Sequence, residues 1–385
     1  MLFNRVYSIK VVGDRCLNQR HHAVECRHCI DHCPAEAIII NERGLLIDEE
    51  KCLGCGLCLN DCPTQVFQAE HWDETVIQQD IKNKAWDVTE FFCGLHPKPF
   101  KAEGKAGRGA VQIPACLSII SRGAWYELGL ATAIELHLEE CGLCFLNKAL
   151  VRLDYNIGMA TEWLEASGHT AKISCITQTP TAKTKKNLKA IGTGLKITSR
   201  RDLFLSLARK GREAIGNLTV GSKALSPKPE RKLEDGLLSD WQKRLSQVYQ
   251  QNFLSGANPA YWPTIKKNNN CISCGLCVNM CPSGALQISS DETSYAYYFT
   301  SSLCLDCRIC QLFCPKEAVS RDREQLEKPF ERVNIFTAAV IECKKCGKTT
   351  VEENEGLCYW CKEKAANDNS LMRDCRNLFL KTANY

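Results

Sequence analysis

Apolar positions along the chain change period several times, and each change marks a different piece of structure. Leu146, Leu150, Leu153, Ile157 and Leu164 recur at spacings of three, four and seven, which predicts an amphipathic helix that Gly168 can end. Around it, Val88–Cys93, Val111–Cys116, Ile134–Leu138 and Ala171–Ile176 alternate or concentrate β-branched residues and predict strands. This stretch therefore reads as an α/β domain. Two shorter apolar runs, Ala37–Ile40 and Ala285–Ile288, suit a short helical turn followed by a strand. From about Thr179 to Asn270 the chain is polar and basic, with Pro180, Pro227, Pro229 and Pro263, and amphipathic helices are expected over Leu203–Ile215 and Trp241–Phe253. That segment reads as a partly helical connector.

The two short apolar runs each follow a Cys-Pro pair, and those pairs end a repeated unit. Cys26-x2-Cys29-x3-Cys33-Pro34 precedes Cys52-x2-Cys55-x2-Cys58-x3-Cys62-Pro63. Much later, Cys271-x2-Cys274-x2-Cys277-x3-Cys281-Pro282 precedes Cys304-x2-Cys307-x2-Cys310-x3-Cys314-Pro315. One module is used twice. The 385 residues hold 26 cysteines, far above ordinary usage, and the close spacing decides between disulfides and metal ligation. Disulfides join distant segments, whereas sulfurs two residues apart suit one shared inorganic core. The setting is then a reducing one.

Composition changes this picture in two places. The formal charge of +5 counts every cysteine as neutral. A cubane core of about +2 with four thiolates carries roughly −2, so four such sites shift the chain by about −8. Basic residues then balance clusters and docking faces, and nucleic-acid binding gains no support. The N-terminus shows no charged region followed by an apolar one, and no apolar run reaches spanning length, so a cytoplasmic protein without membrane insertion is expected. Ser199–Leu205 looks like a twin-arginine signal, but it sits mid-chain and reads as the start of a basic helix.

In the run C-x2-C-x2-C-x3-C-P three sulfurs wrap one cubane while the fourth reaches its neighbour. The chain resembles the bacterial two-cluster ferredoxin family over roughly Ile265–Arg323, with eight ligand positions filled, and over Val11–Glu70 with one departure. The resemblance implies one cluster on Cys271, Cys274, Cys277 and Cys314 and a second on Cys304, Cys307, Cys310 and Cys281. In the first module it implies that Cys52, Cys55 and Cys58 join Cys33. The departure is Ala23, which stands where the run of Cys26 and Cys29 needs its first ligand. Cys16 can loop back to complete a fourth set with Cys26, Cys29 and Cys62; a three-iron cluster, or a ligand such as His21, His22 or His28, is the alternative. Zinc knuckles or free thiols fit these positions poorly, given the Cys-Pro ends. Gly54, Gly56 and Gly275 within the runs let backbone amides approach the sulfurs.

In the α/β stretch, Cys93, Cys116 and the pair Cys141-x2-Cys144 fall at or just beyond the carboxyl ends of expected strands. Parallel neighbouring strands would converge them at one edge, where open α/β sheets hold ligands. A two-iron cluster is the natural occupant; zinc, a redox-active dithiol at Cys141 and Cys144, or plain packing are the alternatives. Ile113–Leu117 and Glu140–Cys144 resemble the small iron–sulfur subunit of methanogen hydrogenase that passes electrons to heterodisulfide reductase. Cys175 alternates with Ile173 on an expected core strand and reads as a buried apolar residue, while Cys375 has no partner. Near the C-terminus, Cys343-x2-Cys346 and Cys358-x2-Cys361 make a four-thiolate set of the zinc-ribbon type. Structural zinc is expected there, with a rubredoxin-like iron as the alternative.

No Gly-x-Gly-x-x-Gly follows a strand and no phosphate loop of the Walker type occurs, so flavin, nicotinamide and nucleotide hydrolysis are unsupported. His71, His96, His137 and His169 are scattered and read as solvent-facing or capping residues. The architecture expected is an α+β multidomain chain: a dicluster ferredoxin-like module over 1–75, an α/β cysteine-containing domain over 76–178, a basic connector over 179–262, a second dicluster module over 263–325 and a zinc-ribbon-like tail over 335–385. The function expected is relay of single electrons between donor and acceptor subunits in a hetero-oligomeric oxidoreductase. A thiol, disulfide or persulfide enzyme with its site in the middle domain is the competing reading. A redox sensor ranks behind both, since one labile site would serve it.

Overall fold

In a computed structural model of the protein, residues 9–20, 24–41, 44–70, 72–96, 107–170, 173–177, 189–191, 237–253, 259–290, 294–347, 349–351, 356–359 and 361–364 are described. The twin-arginine-like stretch, the helix expected over Leu203–Ile215, His21, His22, Ala23, His71 and Cys375 lie outside them. No helix among the described residues is long and apolar enough to cross a membrane. The chain divides into two compact units, one built mainly from Arg27–Glu165 with the segment before it and the other mainly from residues after Gly236.

The first unit opens with β1 (Ile9–Val11), α1 (Leu17–Arg20), α2 (His28–Asp31), β2 (Ile38–Asn41), β3 (Gly44–Ile47), α3 (Leu57–Asp61) and β4 (Phe67–Ala69). β1 pairs antiparallel with β4, and β2 with β3. The helices are single turns, too short to stand alone; Leu17, Leu57 and Leu59 on them, and Val66 and Phe67 at the start of β4, are buried. There follow α4 (Glu74–Lys84), β5 (Val88–Phe92), β6 (Arg108–Gln112), α5 (Arg122–Ala131), β7 (Ala133–His137), α6 (Leu150–Ala166), β8 (Ile173–Ile176) and β9 (Lys189–Ile191). Asp73 caps α4 by accepting from the Thr75 amide at 2.9 Å, an arrangement typically worth about 1 kcal/mol. The five strands form one sheet in the order β8-β7-β5-β6-β9, and every neighbouring pair is parallel. β5 is central, with β6 on one side and β7 on the other, so the connections leave it in opposite directions. Side chains fill the space between sheet and helices: Phe91 meets the Trp125 ring edge-on at 5.1 Å, and Ile113, Leu117, Ile119 and Leu136 are almost wholly buried.

Three expectations shift here. The strand read over Val111–Cys116 runs instead over Arg108–Gln112. Ile113 N still donates to Phe92 O at 2.8 Å, but Pro114 has no amide to continue the ladder. α6 begins at Leu150, because Asn147–Ala149 forms a tighter turn before it. Cys175 is exposed rather than buried: among the described residues β8 is the edge strand of its sheet.

The second unit holds α7 (Asp240–Asn252), β10 (Tyr261–Lys267), α8 (Leu276–Asn279), β11 (Leu286–Ser290), β12 (Ser294–Phe299), α9 (Ile309–Leu312), β13 (Val319–Gln325), β14 (Val333–Glu342) and β15 (Thr349–Val351). β10 pairs antiparallel with β13 over seven residues. α7 buries Trp241, Leu245 and Tyr249, and the Tyr249 ring packs on Trp262 and Phe330 at 5.6 and 5.5 Å. The end of the expected connector thus belongs to this unit. β11, β12, β14 and β15 form a four-stranded sheet in that order. β14 pairs with β12 (Tyr297 opposite Phe336) and then with β15 (Val340 opposite Val351). The C-terminal cysteines therefore hang from a strand of the module's own sheet.

Candidate metal centres

The cysteine runs share a backbone pattern beyond their spacing. In three of them the residues two and four places after the first cysteine are left-handed: Gly54 and Gly56, Ser273 and Gly275, Asp306 and Arg308. Each such residue reverses the chain locally, so successive cysteines point into one space rather than along a strand. A non-glycine there is held at a cost of about 1 kcal/mol or more. In all four runs the residue three places after the last cysteine is left-handed too: Glu36, Gln65, Gly284 and Glu317. That turn aims the next amide back at sulfur. Ala37 N, Val66 N and Ala318 N donate to Cys33 Sγ, Cys62 Sγ and Cys314 Sγ at 3.4, 3.4 and 3.1 Å. The run lacking its first cysteine departs here as well: Arg27, matching Gly56, has φ −120°.

In the second unit the runs exchange their last sulfurs. Cys271, Cys274, Cys277 and Cys314 line one recess together with Lys267. Cys281 stands among Cys304, Cys307 and Cys310, whose thiols each feel its charge. Burial first, then mutual repulsion, pushes Cys304 up to about 12 and Cys307 to about 11. Thiols so arranged cannot all ionise in one place unless a positive core joins them, which is what an iron–sulfur core supplies. Cations stand beside both sets, Lys316 lining the first recess along with Lys267. Lys267 Nζ lies 3.5 Å from Cys277 Sγ, and the Arg321 charge acts on Cys304.

In the first unit Cys29, Cys33, Cys52 and Cys58 line one recess with His32 and Asp61. Cys55 joins this set: burial raises it to about 12, and Cys116, Cys33 and Cys52 add to the rise. Cys16 is buried, and its charge acts on Cys62, which is buried as well. Cys26, half-buried just ahead of α2, is grouped with the second unit. His28 is exposed, whereas His32 Nδ1 lies 2.6 Å from the buried carboxylate of Asp61.

Cys93, Cys116, Cys141 and Cys144 line a further recess of about 400 Å³, open solvent at its mouth included, with Leu117, Leu138, Leu146, Leu150 and Leu153. Cys93 directly follows β5, and Cys116 and Cys141 come four residues after β6 and β7. The cysteines therefore gather where the carboxyl ends of three adjacent parallel strands open, beside the central strand. Gln112 Nε2 donates to the carbonyls of Cys93 and His96 at 3.3 Å each and fixes that loop. Burial raises Cys93 and Cys116 above the usual thiol range and Cys141 to about 12.

His137 is not a solvent-facing residue. It is buried, stacks on Phe92 at 4.1 Å, and bridges Glu90 (Nε2 to Oε2, 3.0 Å) and Glu139 (Nδ1 to Oε1, 2.9 Å). His96 Nε2 lies 3.6 Å from the other Glu139 oxygen, and Arg108 pairs with Glu90 at 2.9 Å and with Glu135. The sequence signal was a glutamate in the middle of each apolar strand, VTEFF and AIELH, which parallel register places side by side (Glu90 opposite Glu135).

At the end of β14, the sulfurs of Cys343, Cys346, Cys358 and Cys361 all lie within 4.8 Å of one another, and among the described residues no other all-cysteine group is that tight. Cys346 Sγ and Cys358 Sγ are 3.7 Å apart. A metal–sulfur bond of about 2.3 Å gives a tetrahedral edge of about 3.8 Å, so these four fit one ion. Cys358 N donates to Cys343 Sγ at 3.2 Å, and such amide bonds pull Cys343 down to about 6.

Comparison with known proteins agrees with the repeated runs. The 4Fe-4S dicluster domain family matches residues 23–66 and 270–318, which gives the chain 4Fe-4S clusters at two places. A ferredoxin from Rickettsia felis is 32% identical over 83 residues, covering 20% of this chain and 69% of the relative. The polyferredoxin-like subunit of an aliphatic sulfonate oxidoreductase from Pyrococcus furiosus is 29% identical over 25% of this chain and 52% of its own length. The iron–sulfur subunit of a formate dehydrogenase from Wolinella succinogenes is 38% identical over 31% of this chain and 62% of its own length. The chain thus spans about half to two thirds of the length of these relatives. At 32% identity across 69% of a ferredoxin's length, the chain belongs to the ferredoxin family.

Proposed function

We propose that the chain is an iron–sulfur subunit relaying single electrons between redox partner proteins in a hetero-oligomeric oxidoreductase, in a reducing, cytoplasmic setting. The observation that carries this is the exchange of last sulfurs between paired runs in the second unit, with the same left-handed turns repeated in the first. Four [4Fe-4S] clusters would be held by Cys271, Cys274, Cys277 and Cys314; by Cys304, Cys307, Cys310 and Cys281; by Cys33, Cys52, Cys55 and Cys58; and by Cys16, Cys26, Cys29 and Cys62. Each such cluster exchanges one electron with little change in its ligands. The chain's own work is to hold the thiols, aim amides at sulfur and keep water away with apolar neighbours such as Ala37, Ile38 and Leu57.

In the middle domain, Cys93, Cys116, Cys141 and Cys144 would hold a [2Fe-2S] cluster. Their wider spread than the C-terminal four supports a core of more than one metal over a single zinc. The competing dithiol reading needs a lowered thiol at Cys141 or Cys144, and burial instead raises Cys141. Cys343, Cys346, Cys358 and Cys361 would hold one zinc, whose binding would supply folding energy to a short segment. The names of the relatives, iron–sulfur or polyferredoxin-like subunits of oxidoreductases, suggest partner subunits that carry the substrate chemistry.

Reductive titration of the anaerobic protein with dithionite tests this reading. It should take up about one electron per cluster, four or five in all, and return them to an added one-electron acceptor. Uptake of none refutes it.

A further inference from the structure

We infer that the middle four-cysteine centre exchanges electrons directly with the Cys33/Cys52/Cys55/Cys58 centre, through an edge formed by Cys55 and Cys116. This rests on the electron-transfer reading above and adds to it the identity of the neighbour. The two cysteines belong to different cysteine sets in one unit, and a built contact joins the turns that carry them. Cys116 leads into the short turn Leu117–Ile119, whose Ile119 is fully buried. A Cβ placed on Gly56, the residue after Cys55, would lie 2.4 Å from Ile119 Cγ1, so the approach exists only because that residue is glycine. The Asn60 side-chain amide donates to the Ile119 carbonyl.

Two ion pairs hold the same seam. Arg152 Nη2 lies 2.6 Å from Asp61 Oδ1, with Asp61 1% exposed, and Lys148 Nζ lies 3.7 Å from Glu36. Most of these residues stand close in sequence to a ligand position. Ile119 is three places after Cys116, Lys148 four after Cys144 and Glu36 three after Cys33, and Asp61 lines the recess of Cys33, Cys52 and Cys58. A seam made of residues that flank ligands on both sides sets the gap between the centres, not merely the packing of two domains. In the transfer one electron leaves one centre and enters the other; no bond forms or breaks and no proton need move. The two reduction potentials set its direction.

Electron paramagnetic resonance of the full chain, reduced anaerobically with dithionite, tests this. In the wild type the signal of the Cys33/Cys52/Cys55/Cys58 centre should relax several-fold faster than in the double variant Cys141→Ser/Cys144→Ser, which should lose about two irons per chain. Ile119→Trp, which forces Gly56 away, should hold its full iron as isolated, although less durably against a chelator, and slow the relaxation towards that of the double variant. Identical relaxation in wild type and double variant overturns the inference, as does a middle site that holds zinc. Both results leave the cubane-based reading standing, whereas an iron-free chain removes both.

Discussion

Lys267 Nζ donates to Cys277 Sγ at 3.5 Å while resting 3.3 Å from the centroid of the Tyr297 ring. The strand β10 carries the lysine to the edge of its own recess, and the aromatic face keeps the ammonium there. A cation beside a thiolate ligand stabilises the more negative, reduced state. At an effective dielectric of about 20 and about 5 Å the interaction is about 3 kcal/mol, and solvent screening reduces it to about 1 kcal/mol. For one electron that is about 50 mV. Lys267→Met is therefore expected to lower the potential of the Cys271/Cys274/Cys277/Cys314 centre by that order, while Lys267→Arg largely preserves it. Potentiometric titration followed by electron paramagnetic resonance reads the change; an unaltered potential in Lys267→Met contradicts it.

Gly56 and Gly275 occupy the same place in two runs but differ in surroundings. Both are left-handed, so alanine at either costs about 1 kcal/mol in backbone conformation. Around Gly275 the nearest atom to an added Cβ is Asn279 Nδ2 at 3.8 Å, ordinary contact, whereas at Gly56 the Cβ meets Ile119. Gly56→Ala should thus lose iron to a chelator markedly faster than Gly275→Ala. Equal rates of loss contradict the account of the seam.

Burial works to lower the pKa of His137, but its hydrogen bonds to Glu90 and Glu139 and their charges outweigh it, so the group stands above its ordinary 6.5. A raised folded pKa means stabilisation that is full below about 6.5 and is lost as pH rises through the folded value. The first unit should therefore lose stability as pH climbs above about 6.5. His137→Phe should cost on the order of 2 kcal/mol at pH 6 and flatten that dependence, since Arg108 still pairs with Glu90. Denaturant unfolding followed by the fluorescence of buried Trp125 and Trp163 measures both. A cost that does not change with pH contradicts the assignment.

The C-terminal four should behave as a separate metal site. Cys346→Ser, at an exposed ligand, is expected to lower zinc from about one per chain to near zero without altering iron. Iron falling in step with zinc contradicts the division.

What was legible in the sequence was chemistry built from local spacing. Cys271, Cys274 and Cys277 are brought together by turns lying between them, so the run itself encodes its recess. The convergence of Cys93, Cys116, Cys141 and Cys144 was legible from strand ends, once the strands were taken as parallel neighbours. Contacts made by register or by edges were not. Cys175 alternates like a core residue, but only the strand order shows that β8 has one neighbour among the described strands. Glu90, Arg108 and His137 meet because three strands align side by side, and no single window of sequence contains all of them. The seam of Gly56 with Ile119 likewise joins positions far apart in the chain, where a glycine inside a cysteine run already had a local explanation.

The central claim is tested most directly by iron, zinc and acid-labile sulfide analysis of the anaerobically purified protein. Four cubanes with a two-iron centre and one single-ion site predict about eighteen irons, about eighteen sulfides and about one zinc per chain. A colourless, iron-free protein would contradict the account at its root.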